Sequence, residues 1–348
     1  MPLAHFHLIT LLSSAISAIA SPSLTLEVTG PSRIYDVDSL QVTAILTNSG
    51  NETVRILKDP RGILSEHPAN KFSIFNTEGS QPSFDGIEVK YVPEVAAKAG
   101  YHVALSPGQF VKVTHNLTDV YNFSTSGSGS YKLKARDIFY VVDKNDAVVT
   151  LHATENFHHE IHISGKLESN RPGWPDASRL STFVNCTSLQ QSSVRSAAAA
   201  AKTYAANAHS YFGNNNTGTP RYTTWFGPLV ASRRKVVSSH FSAINSNDFG
   251  GFTYDCSCTD PEMFAYVYPS NFGYIHLCGA FWNAPTTGTD STAGTIIHES
   301  SHFLRNGGTG DIVYGQSSAK SLAITDPASA ITNADSHEYF AENNPALS

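Results

Sequence analysis

The sequence predicts a multidomain chain in which an antiparallel β-sandwich precedes an α+β, helix-dominated domain with a small antiparallel sheet. Period-two apolar bursts fill the first half, whereas alanine-rich, helix-periodic segments dominate the second. A Pro/Ser-rich stretch at 168–181 (ESNRPGWPDASRLS) separates the two patterns and reads as a linker. With 348 residues, 41 % of them hydrophobic, the chain is long enough to bury two cores. A formal net charge of -6 without a Lys/Arg block argues against nucleic-acid binding, and 15 Tyr with 19 Phe are the reverse of a disordered composition. Peptides, proteins or small molecules are the partners left.

Residues 1–20 carry an apolar stretch around Leu8 to Leu12 and end in Ala18-Ile19-Ala20 before Ser21-Pro22, a secretory signal with an A-x-A cleavage site. The leader has His5 and His7 where Lys or Arg is usual. No other run approaches the roughly 20 apolar residues of a spanning helix, so no membrane anchor and an extracellular location are expected. Strand signatures follow at Leu24-Thr25-Leu26-Glu27-Val28, Gln41 to Leu46, Phe110 to Val113, Tyr131 to Ala135 and Ile161 to Ile163. Asn48-Ser49-Gly50-Asn51 and Ser126 to Gly129 supply turns, giving an Ig-like sandwich over 21–165. His158, Glu160 and His162 share one strand face, which reads as an exposed polar face in preference to a metal site.

Beyond the linker, 192–212, 236–244, 295–304, 317–324 and 336–343 read as helices, and 264–268 with 274–277 as a hairpin. Cys186, Cys256, Cys258 and Cys278 all lie in this half, an even count that suits two disulfides in a secreted chain. A bond between Cys256 and Cys258 would close a strained ring, so each reaches one of the distant cysteines. Paired zinc-binding cysteines are usually spaced wider than this C-x-C. Sequons at Asn51, Asn116, Asn122, Asn185 and Asn215 fit a secreted glycoprotein.

The chemistry concentrates at His298-Glu299-Ser300-Ser301-His302. On a helix, residues four apart share a face, so both imidazoles can bind one Zn²⁺ with Glu299 beside its open position. The alternative is an amphipathic helix with two surface histidines. Asn306-Gly307-Gly308 then turns the chain, and Asp311 follows soon enough to supply a third ligand, leaving the fourth position for water. Tyr314 reads either as a donor to a developing oxyanion or as an aromatic closing the turn.

H-E-x-x-H followed by G-T-x-D-x-x-Y-G resembles the aspzincins, the deuterolysin-type metalloendopeptidases, in their peptidyl-Lys branch. Arg221 to Gly227, Cys278 to Trp282 and Asn333 to Phe340 also look like that branch, and the likeness covers about 182–348. It implies a zincin catalytic domain at 182–348, a signal peptide at 1–20, a propeptide at 21–165 and a processing linker at 166–181. It implies Zn²⁺ on His298, His302 and Asp311, Glu299 as general base, Tyr314 at the transition state, and pairings Cys186 to Cys256 and Cys258 to Cys278.

Asp335 and Glu338 lie three apart near a helix start. Spacing alone fits an N-terminal cap, while two carboxylates in one pocket would suit a lysine ammonium. The resemblance favours the pocket and implies cleavage on the amino side of lysine. Lysines thin out from Thr182 onward to Lys202, Lys235 and Lys320, as suits a lysine-directed protease. The first half lacks cysteine, so it would act as an intramolecular steric inhibitor or a folding aid on a monomeric enzyme of protein and peptide substrates. A broader deuterolysin-like protease and a non-catalytic secreted binding glycoprotein are the competing readings.

Overall fold

The computed structural model describes residues 22–155, 158–169, 182–214 and 217–348. The leader at 1–20, most of the linker and Asn215 lie outside them.

Among the described residues of the first half, three four-stranded sheets surround one core. The first runs β14 (Thr154–Glu155), β1 (Leu24–Thr29), β3 (Gln41–Asn48), β9 (Phe110–Asn116). The second runs β2 (Arg33–Asp36), β15 (His159–Lys166), β11 (Gly129–Ala135), β5 (Phe72–Asn76). The third runs β13 (Val148–His152), β12 (Ile138–Val142), β4 (Val54–Leu57), β8 (His102–Leu105), and β6 (Ser83–Phe84) pairs with β10 (Tyr121–Asn122). Alternation places Leu24, Leu26 and Val28 inward against Val42, Ala44 and Leu46, as period two requires. The expected antiparallel arrangement is departed from where β14 joins β1 and β2 joins β15 in parallel. Periodicity fixes which face is apolar and leaves strand direction open.

The second half packs helices on one mixed sheet. Its helices are α2 (Ser188–Asn214), α3 (Pro220–Phe226), α4 (Ala231–Ser246), α5 (Thr292–His302), α6 (Gln316–Thr325), α7 (Pro327–Ala330) and α8 (Ala334–Glu342). Ala197, Ala201, Ala205 and Ala208 recur at helical spacing and bury one face of α2, where small side chains let α5 approach closely. Rings of Phe212, Phe226, Phe241 and Phe340 lock α2, α3, α4 and α8 together, with Phe340 centroids 5.2–5.5 Å from the other three.

The sheet order is β16 (Phe183–Val184), β17 (Thr253–Asp255), β19 (Tyr274–Leu277), β18 (Met263–Val267), β7 (Glu88–Tyr91). It differs from the expected small antiparallel sheet in two ways. β16, β17 and β19 run parallel, and the fifth strand, β7, comes from the first half of the chain and pairs antiparallel with β18. A short helix, α1 (Pro93–Lys98), follows β7. Leu57, Tyr91, Tyr140, Val142 and Tyr314 form an apolar patch joining the halves. Disulfides Cys186–Cys256 and Cys258–Cys278 close the loops beside β17 and β18. Among the described residues, no helix is long and apolar enough to cross a membrane.

Candidate active site

Helix α5 is buried along all eleven residues and starts at Ser291, whose hydroxyl accepts from the Gly294 amide at 2.9 Å. Its last turns present His298 and His302 on one face, ring centroids 4.9 Å apart. The chain reverses through Gly308, where φ is +55°, and brings Asp311 back under both rings. Asp311 Oδ1 lies 3.1 Å from His298 Nε2 and 3.4 Å from His302 Nε2. The opposite ring nitrogens face acceptors: His302 Nδ1 the Thr309 carbonyl at 2.7 Å, His298 Nδ1 Asp335 at 3.0 Å and Glu338 at 3.1 Å. With the Nδ1 protons assigned by these partners, both Nε2 lone pairs point at Asp311.

This donor set fits a zinc ion. Two imidazole nitrogens and one carboxylate oxygen converge within 4.8 Å, and His302 Nε2 and Glu299 Oε2 are buried without hydrogen-bond partners. Two nitrogens, one oxygen and a free position are what a catalytic zinc site requires. Burial opposes ionisation of Asp311, yet His302 and His298 hold it well below the usual carboxylate range. Burial pushes Glu299 well above that range, with Asp311 and Glu338 adding to the effect.

Asp335 and Glu338 are buried on α8, one turn apart. The capping alternative does not describe them: Asn333 is the N-cap, and Asp335 accepts from the Gly315 amide at 2.6 Å. Gly315 has φ +84°, which aims that amide at Asp335. Helices α5 and α8 meet at Gly294, where a Cβ would fall 2.1 Å from Glu342 Oε1 and 3.0 Å from Glu338 Oε1.

Between these acids sits the ammonium of Lys90. Lys90 is fully buried, and its Nζ is 2.7 Å from Glu338, 3.1 Å from Asp335 and 3.2 Å from Asp290. The Tyr339 ring lies 5.0 Å from Nζ, and its hydroxyl donates to Asp290 at 2.7 Å. Burial disfavours the charge, but the three carboxylates hold the Lys90 pKa well above its ordinary value. The cluster of His298, Asp335 and Glu338 therefore already has its cation.

The backbone of β7 engages the rest of the site. Val89 N–H donates to Asp311 Oδ2 at 2.6 Å, Lys90 N–H donates to Glu299 Oε1 at 3.0 Å, and Tyr314 Oη donates to the Val89 carbonyl at 2.6 Å. Burial raises Tyr314 well above the ordinary phenol value, so it remains a donor. Tyr314 also packs, with the Tyr91 ring 5.6 Å away and the Arg61 guanidinium 3.7 Å from its centroid, as the reading of an aromatic closing the turn expects. Arg61 donates to the Asp311 carbonyl at 2.7 Å and is paired with Asp59 at 2.8 Å.

The seven candidates for the catalytic, ligand and pocket positions, His298, Glu299, His302, Asp311, Tyr314, Asp335 and Glu338, are thus brought together. Missed were Lys90, Arg61 and Asp290; Asp290 precedes the Ser291 cap, and a carboxylate there reads as ordinary turn chemistry. His158 and Glu160 are exposed and 3.3 Å apart, and His162 contacts Ser130 at 3.3 Å, with no three-ligand cluster at this strand among the described residues. Asn51, Asn116 and Asn185 are exposed and Asn122 is half-buried.

The family described as lysine-specific metallo-endopeptidases, the aspzincins, matches residues 211–342. A peptidyl-Lys metalloendopeptidase of Grifola frondosa is 48 % identical over 345 residues, 98 % of this chain and 99 % of that one. The chain belongs to the aspzincin family. A peptidyl-Lys metalloendopeptidase of Armillaria mellea is 43 % identical over 99 % of this chain and 98 % of its own. One of Pleurotus ostreatus is 63 % identical over 166 residues, 48 % of this chain and 99 % of its own. A solved zinc peptidase from Grifola frondosa is 58 % identical, with TM-score 0.47 over 47 % of this chain and 100 % of that one. As an aspzincin, the chain is a zinc metalloendopeptidase acting on proteins and peptides.

Proposed function

We propose that the chain hydrolyses peptide bonds on the amino side of lysine, with His298, His302 and Asp311 as metal ligands. The observation that carries this reading is the pair Asp335 and Glu338, buried beside the ligand cluster and holding a lysine ammonium at 3.1 and 2.7 Å. Zinc, when bound, supplies an activated water and polarises the scissile carbonyl. Glu299 takes the proton of the attacking water and delivers it to the leaving nitrogen, which its Oε1 reaches at 3.0 Å in β7. Tyr314 donates to the carbonyl oxygen as negative charge develops there. The acids of α8, with Asp290, fix the lysine that follows the cut.

In this reading residues 1–20 are a secretory signal, 21–165 a sandwich propeptide of Ig-like type, 166–181 the processing segment and 182–348 the secreted catalytic domain. The half-length Pleurotus ostreatus relative, matched over 99 % of its own length, supports that division. The first half acts as an intramolecular inhibitor: β7 fills the cleft, and Glu299, His298 and His302 are fully buried beneath it.

The test is digestion of an unrelated denatured protein by the activated enzyme, reading every new N-terminus by mass spectrometry. Termini that begin with lysine and vanish with a chelator are expected; chelator-sensitive cuts without lysine preference would leave a broader deuterolysin-like protease. Glu299→Gln should keep zinc and lose turnover. Asp335→Ala with Glu338→Ala should keep zinc and lose lysine selectivity, and an unchanged cleavage map refutes the pocket.

A further inference from the structure

We propose that the Val89–Lys90 peptide bond is the first bond this chain cuts, in its own β7. The inference rests on the amino-side-of-lysine reading and adds a specific intramolecular substrate. Four independent contacts select this bond. The side chain after it, Lys90, carries its ammonium onto Asp290, Asp335 and Glu338. The carbonyl before it, that of Val89, accepts from Tyr314 at 2.6 Å. The nitrogen that would leave, that of Lys90, faces Glu299 at 3.0 Å. The strand is aligned by pairing with β18, Tyr266 opposite Val89 and Ala265 opposite Lys90.

A buried ion pair serving stability alone needs only the side-chain contacts. It does not need the carbonyl and the nitrogen of one peptide bond to lie on the two groups assigned to hydrolysis. Strand addition to an exposed edge is a general way of holding a peptide, with alternate side chains read by pockets. Among the described residues, no other lysine ammonium bonds Asp335 or Glu338. Asp290 and the Tyr339 ring are therefore part of the lysine pocket, alongside the two acids of α8.

The step balances with water as the only co-reactant. The water oxygen bonds to the Val89 carbonyl carbon, and the Val89 C to Lys90 N bond breaks. One water proton passes through Glu299 to the Lys90 nitrogen and the second passes from the new carboxyl to the new amine, leaving a carboxylate on Val89 and an ammonium terminus on Lys90. The two pieces stay together, because β1, β3, β4 and β5 upstream of the cut pair with β14, β9, β12 and β11 downstream of it. The nick is visible only under denaturing conditions.

The experiment uses the full chain, purified metal-free and then given one equivalent of Zn²⁺. Denaturing mass spectrometry should show a fragment beginning at Lys90, formed at a rate independent of chain concentration, while Glu299→Gln stays whole. A second readout needs no turnover: in the Glu299→Gln chain, amine-reactive labelling of Lys90 should be at least tenfold slower than that of exposed Lys98 and Lys112. Labelling of Lys90 at the rate of Lys98 overturns the proposal. Lys90→Ala, whose β7 has lost its ammonium anchor and opens more often, is assayed on a lysine-containing peptide, and Lys90→Met replaces it if the alanine chain does not unfold cooperatively. A variant that cuts the peptide before lysine, beside a zinc-loaded native chain yielding no Lys90 terminus, overturns self-cleavage and leaves the enzyme reading intact. A folded, zinc-loaded variant that cuts nothing overturns the enzyme reading and the proposal with it.

Discussion

Replacing Lys90 by methionine in the uncleavable Glu299→Gln chain isolates what the ammonium contributes to holding β7 in the cleft. The substitution keeps an unbranched apolar stem and removes a charge with carboxylate partners at 2.7, 3.1 and 3.2 Å. Removing one partner of a buried ion pair costs about 3–5 kcal/mol. The lower end applies here, because Asp290 is 24 % exposed and a proton on Glu338 can replace part of the lost charge. Opening of β7 should then be easier by roughly 3 kcal/mol, about a hundredfold in the population of the open site. The assay is the rate of zinc loss to excess chelator, since the buried ligands release metal only from the open site. The effect should shrink on acidification. Burial already holds Glu338 above the usual carboxylate range beside Lys90, and loss of the ammonium raises it further. A carboxyl with a raised folded pKa stabilises the fold below its unfolded value and loses that contribution as pH rises through the folded one. The gap between the two chains is therefore largest at alkaline pH and smallest near the ordinary glutamate value of 4.5. Release rates within a factor of two at alkaline pH would refute the idea that Lys90 anchors the strand.

Burial, with Lys71 adding to it, lowers the His115 pKa to about 4, and Nε2 has no partner. The unfolded chain therefore takes the proton first, so stability falls as pH drops from 6.5 to about 4, by up to about 3 kcal/mol. His115→Phe should flatten this part of the denaturant-midpoint-against-pH curve, and an unchanged slope counts against the argument. Gly294→Ala puts a Cβ 2.1 Å from Glu342 Oε1, so α5 and α8 must separate at a cost of roughly 1–3 kcal/mol. KM for lysine peptides should rise with bound zinc unchanged, and an unaltered KM would show that α8 does not set the pocket. The disulfides close separations of 70 and 20 residues, for which loop entropy gives about 4 kcal/mol for Cys186–Cys256 and about 3 kcal/mol for Cys258–Cys278. Paired alanine replacements should lose stability in that order by chemical denaturation; the reverse order would show that local packing outweighs chain entropy.

Local chemistry is legible in a sequence when the residues that make it are close along the chain. His298 and His302 declare themselves because helical spacing alone puts them on one face with Glu299 beside them, and the glycines at 307 and 308 announce the turn that returns Asp311. Asp335 and Glu338 were readable as a pair with two meanings, and spacing could not choose between cap and pocket. Contacts with His298 and Lys90, made across long stretches of chain, set them apart from the Asn333 cap and support the proposed pocket. The first half was read correctly as short alternating strands, yet its parallel edge pairings lay beyond what alternation encodes.

By itself the sequence determined the two structural grammars, the helix that carries the candidate metal ligands and the acids beside it, since each rests on periodicity or spacing within about forty residues. Only the tertiary structure decided that Glu88–Tyr91 leaves its neighbours to become the fifth strand of the other half's sheet. In the sequence Lys90 is one of nine lysines between residues 21 and 181, with nothing local to distinguish it. Its meaning comes from Asp290, Glu299, Tyr314, Asp335 and Glu338, 200 or more positions away. Side-chain periodicity constrains a strand's faces, but its partner is chosen by the edge, the pocket and the charge that the folded chain presents.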